Sequence, residues 1–422
     1  NYIGSEYHFR YLISRGLRGN IMRVSTAQFY FQNSQQLTSK QSSVNEQVNY
    51  LSNGKRVLTA KDDAVAYGTL AGYKDELASI EKYKRNITQA ENRNSLQDTS
   101  FGNAENLMQE LKRIFTQANN GTLSSADLTS LAEQAKNSQS QLLDIANTKD
   151  ETGGYIFAGF QNHKEPFALQ LDNTVIYQGD SGVRELQIAK NVSVATSQAG
   201  DVAFSNIPNE IGDFSANYIN NLSGFSVNNA TITDPSSYDP ATNPPDYKFA
   251  FSLPNDLTVT DGNGTVVVPT ATYIAGQTIA FNGIEVQLSG NPLPGDEVDI
   301  SPEQNINIFN TIKRAIDWMA SGSTPSNPLQ HEVDYAEILS QLDQGLNHMT
   351  TRRSEAGIRL QLIESQENNH LDAELSLAAG QSNIEDLDFA KAVANFEQSK
   401  VALQAAQQSF VQVKDLSLFN YI

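Results

Sequence analysis

The residue types that could do chemistry in this chain are few and scattered. Five histidines stand at His8, His163, His331, His348 and His370. A metal-binding helix places two imidazoles at i and i+4, and no pair here has that spacing. Asp261-Gly-Asn-Gly264 matches the start of a calcium loop. The Glu that would close the far end is missing, so the segment reads as a turn between strands. The acid pairs Asp62/Asp63 and Glu385/Asp386 could divide into general acid and base. Catalytic carboxylates need a cleft, and both pairs fall where solvated helix starts are expected. No G-x-x-x-x-G-K-[ST], H-E-x-x-H or EF-hand pattern occurs. The chain has no cysteine, which removes a thiol nucleophile, disulfides and thiolate zinc sites. Tyr238 and Tyr247 could stack on a sugar, but they read better as β-core or surface aromatics. The expectation is a protein that uses no cofactor and no metal and is not an enzyme.

The elements carrying these residues follow a helix–β–helix order. Between 22 and 150, Tyr30, Leu37, Val44 and Leu51 recur every seven positions, which predicts a seam for a partner helix. Asn53-Gly54 interrupts it as a turn. Leu70, Tyr73, Leu77, Ile80 and Ile87 mark a second helix, and Ala104, Leu107, Leu111 and Ile114 a third or its continuation. Asn120-Gly121 is a stop, and Leu128, Leu131, Ala135, Ser138, Leu142 and Ile145 alternate threes and fours. From about 168 to 300 the chain turns to Thr, Val, Tyr, Asn, Gly and Pro. Strands are predicted at 174–178, 247–253, 265–268, 277–281 and 284–288, the last two joined by the hairpin signal Asn282-Gly283. Helical stripes return with Phe309, Ile312, Ile316 and Met319, then Leu339, Leu342, Leu346 and Met349. The last stretch repeats the seven-residue spacing in Phe389, Phe396, Leu403 and Phe410, is rich in Ala and Gln, and lacks Gly and Pro.

A chain of 422 residues supports two or three cores. Hydrophobic residues at 39% and charged residues at 18% make it globular rather than disordered. A net charge of -19 makes nucleic acid and anionic lipid poor partners. The stretch 165–304 holds 17 acidic and 3 basic residues, and so 14 of the 19 excess negative charges. No run of about 18 apolar residues occurs, so no membrane insertion is expected. Residues 1–21 carry Arg10, Arg15 and Arg18 with little helical pattern, and they lack the apolar core and cleavage site of a secretory signal. They read as a tag or upstream extension, a genuine extension being the other reading. The fold class expected is mainly α with a β insert. Its form is an elongated rod of long paired helices, with an N- and C-terminal coiled coil, carrying an antiparallel β domain. The expected domains are 22–65 with 384–422, a terminal helical assembly domain; 66–167 with 304–383, a helical rod; and 168–303, a β-rich outer domain.

Four segments, in order, carry a family resemblance. LSNGKRVLTAKDDA at 51–64 resembles the motif after the first helix of flagellins and their junction relatives. MRVSTAQFYF from Met22 and GYIFAGFQNHKEPF at 154–167 are similar to the hook–filament junction family, the hook-associated protein 3 family, more than to filament flagellins. The end, from IEDLDFAKAV to LSLFNYI, resembles the flagellin-type C-terminal helix, and LSLFNYI again favours the junction family. The resemblance covers about 22–167 and 304–422.

The resemblance implies a structural flagellar subunit that connects hook-associated protein 1 at the hook to flagellin. A filament flagellin is the alternative, and a secreted carbohydrate-binding or enzymatic protein a third reading. Other implied partners are neighbouring copies and a cytoplasmic export chaperone on the C-terminal helix. The implied location is the extracellular flagellum, reached by type III export without a cleaved signal. Asn53 and Gly54 would turn the chain, and Lys55, Arg56, Lys61, Asp62 and Asp63 would lie in the connection and make polar contacts between copies. The same residues also read as a helix start, Thr59 being the cap with acids in the first turn. The assembly surface would be the two seams, Tyr30, Leu37, Val44 and Leu51 with Phe389, Phe396, Leu403 and Phe410, plus residual apolar surface at Val393 and Val411. Stripes at helical spacing are usually intramolecular core. These are narrow and flanked by Gln, Ser, Asn and Lys, so each helix is marginal alone and is expected to fold on assembly.

Overall fold

The computed structural model describes residues 26–241, 245–253 and 256–419. The reading of 1–21, the start at Met22 and the last three residues of LSLFNYI lie outside them. The element order agrees with the expected class: helices at both ends and an antiparallel β insert between. The chain divides into two compact units, residues 1–77 with 374–422 and residues 78–373.

In the terminal unit, α1 (Thr26–Asn53) packs along α6 (Phe389–Phe419). The unit also holds the first turns of α2 (Ala64–Ala118) and the last turns of α5 (Pro328–Glu385). Its buried apolar cluster is small: Val57, Ala66 and Leu70, with Ile384 against them. A helix pair with so little core depends on its seam for stability.

In the larger unit the core is helical. Phe101, Ala104, Met108, Leu111, Ile114 and Phe115 of α2 recur at threes and fours and are fully or nearly fully buried. The stripe at 104–114, read as a third helix or a continuation, is the continuation: no Pro interrupts the pattern from 64 to 118. Next, α3 (Ser125–Ala146) begins with a capping box in which Ser124 and Asp127 satisfy each other's backbone N–H groups. It buries Leu128, Leu131, Ala135, Ser138 and Leu142. After the insert, α4 (Ile308–Ala320) is capped by Asn307 and packs on α3. Phe157, Phe204, Phe167 and Phe309 close this core, with successive ring centroids 5.2–5.5 Å apart in that order.

The strands serve two different cores. The ribbons β1 (Phe167–Leu169) with β2 (Val175–Tyr177), and β5 (Ile207–Pro208) with β14 (Asn305–Ile306), feed Phe167, Val175, Ile207 and Ile306 into the helical core. The hairpin β3 (Glu185–Ala189) with β4 (Val192–Ala195) lays Ile188 and Val194 on Ile87 of α2 and Ile363 of α5. The remaining strands make two facing sheets. One has the order β10 (Val266–Thr272), β9 (Asp256–Asp261), β8 (Tyr247–Leu253), β13 (Glu297–Pro302), β6 (Phe214–Asn220). The other runs β11 (Thr278–Phe281), β12 (Ile284–Ser289), β7 (Ser226–Ile232). Phe249, Phe251, Val259, Val298 and Ile300 of the first meet Ala230, Ile284, Val286 and Leu288 of the second in one buried cluster. Asn282 and Gly283 take φ of 46° and 77°, the double left-handed turn that a two-residue hairpin requires, and Phe281 pairs with Ile284 across it.

Candidate assembly interface

The two seven-residue seams meet. Tyr30, Leu37, Val44 and Leu51 are all partly buried along α1, as are Phe396, Leu403 and Phe410 along α6. The rings of Tyr30 and Phe410 touch edge to face, 5.5 Å between centroids. Phe389, at the head of the α6 seam, stays 56% exposed and lies against Gly54, while Ala392 takes the buried position. A single pair of helices leaves much apolar surface in water. Phe31, Val48, Val393, Val401 and Val411 are 44–63% exposed, all on these two helices. Nothing else among the described residues covers them.

The connection after α1 is built as a clasp. Asn53 bonds back to the Asn49 carbonyl, 2.8 Å, and ends the helix. Gly54 then adopts φ +66°, the left-handed cap that glycine reaches without strain. This turns the backbone alongside the end of α5, where Lys55 and Asp386 form an antiparallel bridge. Arg56 N donates to Glu385 O at 2.7 Å, and Leu387 N to Gly54 O at 3.0 Å. The Lys55 ammonium reaches Glu385 Oε1 at 2.7 Å, and Lys74 of α2 lies 3.5 Å from the same oxygen. Gln381 donates to Glu385 Oε2 at 2.6 Å. Burial raises the Glu385 pKa, but the Gln381 and Lys55 hydrogen bonds and the two ammonium charges outweigh it and hold the group below its ordinary value.

The remaining connection residues are committed locally. Asp62 accepts from Thr59 N, Leu58 N and the Tyr50 hydroxyl at 2.8–3.0 Å. The Thr59 amide and the Tyr50 hydroxyl lead in lowering its pKa. Burial, then the Asp62 bond, pushes Tyr50 up to about 12. Asp63 caps α2 by accepting from Ala66 N at 2.9 Å. The helix therefore starts four residues later than a Thr59 cap would place it. Arg56 donates to Ile384 O and stands 3.9 Å from Asp63. Lys61 is exposed.

Glu385 was missed as a site residue. It reads in sequence as half of a solvated acid pair, yet it is 4% exposed. Its lysine lies 330 positions away, and no local pattern carries that information.

The other candidate chemistry dissolves into structure. Asp261 Oδ1 accepts from Asn263 N and Thr265 N and shapes the β9–β10 turn. His348 and His370 donate Nε2–H to the carbonyls of Val202 and Ile188 at 2.8 and 2.7 Å, and Trp318 stacks on His331 at 4.0 Å. Among the described residues no group of three His, Asp or Glu could hold a metal ion. Likewise, no described helix is long and apolar enough to cross a membrane.

Comparison with known proteins matches residues 24–162 to the bacterial flagellin N-terminal helical region and 339–422 to the bacterial flagellin C-terminal helical region. These define a flagellin-type protein. Flagellar hook-associated protein 3 of Escherichia coli K12 is 23% identical over 399 residues, 94% of this chain and 99% of that protein. The crystal structure of flagellar hook-associated protein-3 from Legionella pneumophila is 30% identical with a TM-score of 0.64, covering 74% of this chain and 98% of that one. Flagellin of Escherichia coli K12 aligns over 282 residues at 22% identity, 60% of this chain and 54% of the flagellin. The chain belongs to the flagellar hook-associated protein 3 family, structural components of the flagellum.

Proposed function

We propose that this chain is the subunit that joins the hook to the flagellin filament, and that the α1–α6 pair with its clasp is the surface by which copies assemble. The observation that carries the reading is the apolar surface left on the α1–α6 pair, from Phe31 to Val411, around a seam that is itself only half buried. Isolated, such a pair is marginal; packed among copies, each large seam residue contributes on the order of 1.5–3 kcal/mol. Flagellin A of Vibrio cholerae also aligns over 90% of this chain, so coverage does not separate the two; the 30% identity to the hook-associated protein-3 structure favours the junction over the filament. In this reading the terminal helices, 22–65 with 384–422, form the assembly domain, 66–167 with 304–383 the rod, and 168–303 the outer domain. One face of the junction meets hook-associated protein 1 and the other flagellin. The subunit leaves the cell by type III export without a cleaved signal, its C-terminal helix held by a cytoplasmic chaperone until then. Immunogold labelling of isolated flagella tests the assignment. Label confined to the hook–filament boundary is expected; label along the filament would make the chain a flagellin.

A further inference from the structure

The larger unit contains a cleft whose lining is incomplete. It opens between the segment 183–202 and α5 and encloses about 440 Å³. Val183, Val202 and Ile358 give it apolar walls, and Val183 and Ile358 remain 45% and 65% exposed. The polar lining has unmet capacity. Gln198 is only 6% exposed, and its Oε1 has no hydrogen-bond partner among the described residues. Arg352 Nε, also buried, has none either. A buried acceptor and a buried donor left open each cost free energy unless something fills them. Charge points the same way. Arg352 and Arg359 share one carboxylate, Glu355, at 3.1 and 3.9 Å, which leaves one positive charge over. Burial pulls the Arg359 pKa down; Glu355 opposes this and the Arg352 charge adds to it.

The same unit carries a projection of matching chemistry. The β1–β2 ribbon ends in a tight turn with Leu171 fully exposed, flanked by Leu169 at 52% and Ile176 at 42%. Turn tips are normally polar, whereas here three apolar side chains, Leu169, Leu171 and Ile176, stand exposed together. Beside it, Asp172 Oδ1 is fixed by Thr174 N at 3.0 Å and Thr174 Oγ1 at 2.6 Å. The tip thus offers one apolar side chain, one carboxylate and the backbone of a turn. The cleft asks for an apolar group, an anion and a backbone donor and acceptor. One molecule does not bring them together. Asp172 feels the charge of Lys313 on α4, and the neighbouring Arg314 pairs with Glu337 of α5. Glu337 and Glu355 are separated by about 27 Å of helix rise.

We propose that the Leu171–Asp172 tip of one copy docks in the Gln198–Arg352–Arg359 cleft of another. Leu171 fills the apolar floor, Asp172 takes the spare guanidinium charge, and Gln198 Oε1 accepts a backbone N–H. Such a contact is head to tail, the kind that builds a ring or helix of copies, and it rests on the assembly reading above. The chain has no native cysteine, so engineered pairs report cleanly. Full-length Leu171→Cys/Ile358→Cys protein is assembled in cells, and isolated flagella are oxidised and run on a non-reducing gel. Covalent multimers of the chain are expected from the double variant, absent from either single variant and lost with reductant. Asp172→Lys in the same background should cut the cross-linked fraction several-fold. Immunogold of the same flagella separates the outcomes. Label at the hook–filament boundary with both thiols maleimide-reactive and no multimers overturns the docking alone, as does cross-linking to a different flagellar protein. Absence of label from the boundary overturns the assembly reading as well.

Discussion

Replacing Glu385 with Gln tests whether the clasp is held by charge. The substitution keeps the shape and one donor-acceptor pair but removes the carboxylate that two lysines share. Breaking a buried ion pair costs 3–5 kcal/mol, roughly, when the surviving charge stays buried. Here the Lys55 and Lys74 side chains are 43% and 53% exposed and return to water. The loss is then that of charge-assisted hydrogen bonds discounted for solvent, about 1–2 kcal/mol. Hydrogen exchange is the assay, because two amides report the clasp directly: Arg56, bonded to Glu385 O, and Leu387, bonded to Gly54 O. Protection at both should fall by a factor of about 5–30, while amides of the α3–α4 core keep theirs. The wild-type clasp should also weaken with acid. Its carboxyl sits below the ordinary value when folded, so its contribution is present above the unfolded value and lost as pH falls through the folded one. Unchanged exchange at Arg56 and Leu387 in the variant would mean that the backbone bridge and Gly54 hold the clasp without the charge.

Leu403→Asp should abolish filament growth while the larger unit keeps its circular dichroism and melting transition, since a carboxylate in the half-buried seam is far costlier than the lost contact; electron microscopy of cells carrying the variant checks it. Gly283→Ala should destabilise the β insert by about 2–4 kcal/mol in urea unfolding, because φ is +77° and the added Cβ would stand 2.3 Å from the Asp234 carbonyl oxygen. Stability of the larger unit should fall by about 2–3 kcal/mol at most between pH 4.5 and 7. The cause is Glu210: burial, helped by the Glu337 charge and opposed by Gln341 and Arg314, raises it to about 7. The folded state then binds that proton more tightly than the unfolded one, so the contribution is full at low pH and gone above 7. Urea melts at pH 5 and 8 measure the difference, and Glu210→Gln should reduce it.

What could be read from the sequence was what local spacing encodes. Seven-residue repeats located α1 and α6, because a helix returns to the same face at that interval; Tyr30 and Phe410 touch as the spacing suggests, but Phe389 is exposed and Ala392 takes the buried position. Asn282-Gly283 located a hairpin with its register, since few residues tolerate that turn. The strand at 247–253 was read to the residue. Strands β6 and β7, FSANYIN and SVNNATI, escaped because Asn, Ser and Thr thin their apolar content and Ile219 sits exposed, which blurs the alternation. The division of the stretch after Phe167 between a helical core and a sandwich core was equally hidden, as both draw on the same aromatic and branched residues. Glu385 could not be found at all, since its partners are fixed only once the two chain ends have met.

That meeting sets a clock. Synthesis proceeds at about 5–20 residues per second, so the roughly 330 positions between Lys55 and Glu385 take on the order of 17–66 s to make. For all that interval α1 lacks its complement, and a chain that stops before Glu385 and Leu387 cannot form the clasp. Closure of the clasp therefore waits on the far end of the chain: Lys55 and Arg56 have no Glu385 to meet until α5 is finished.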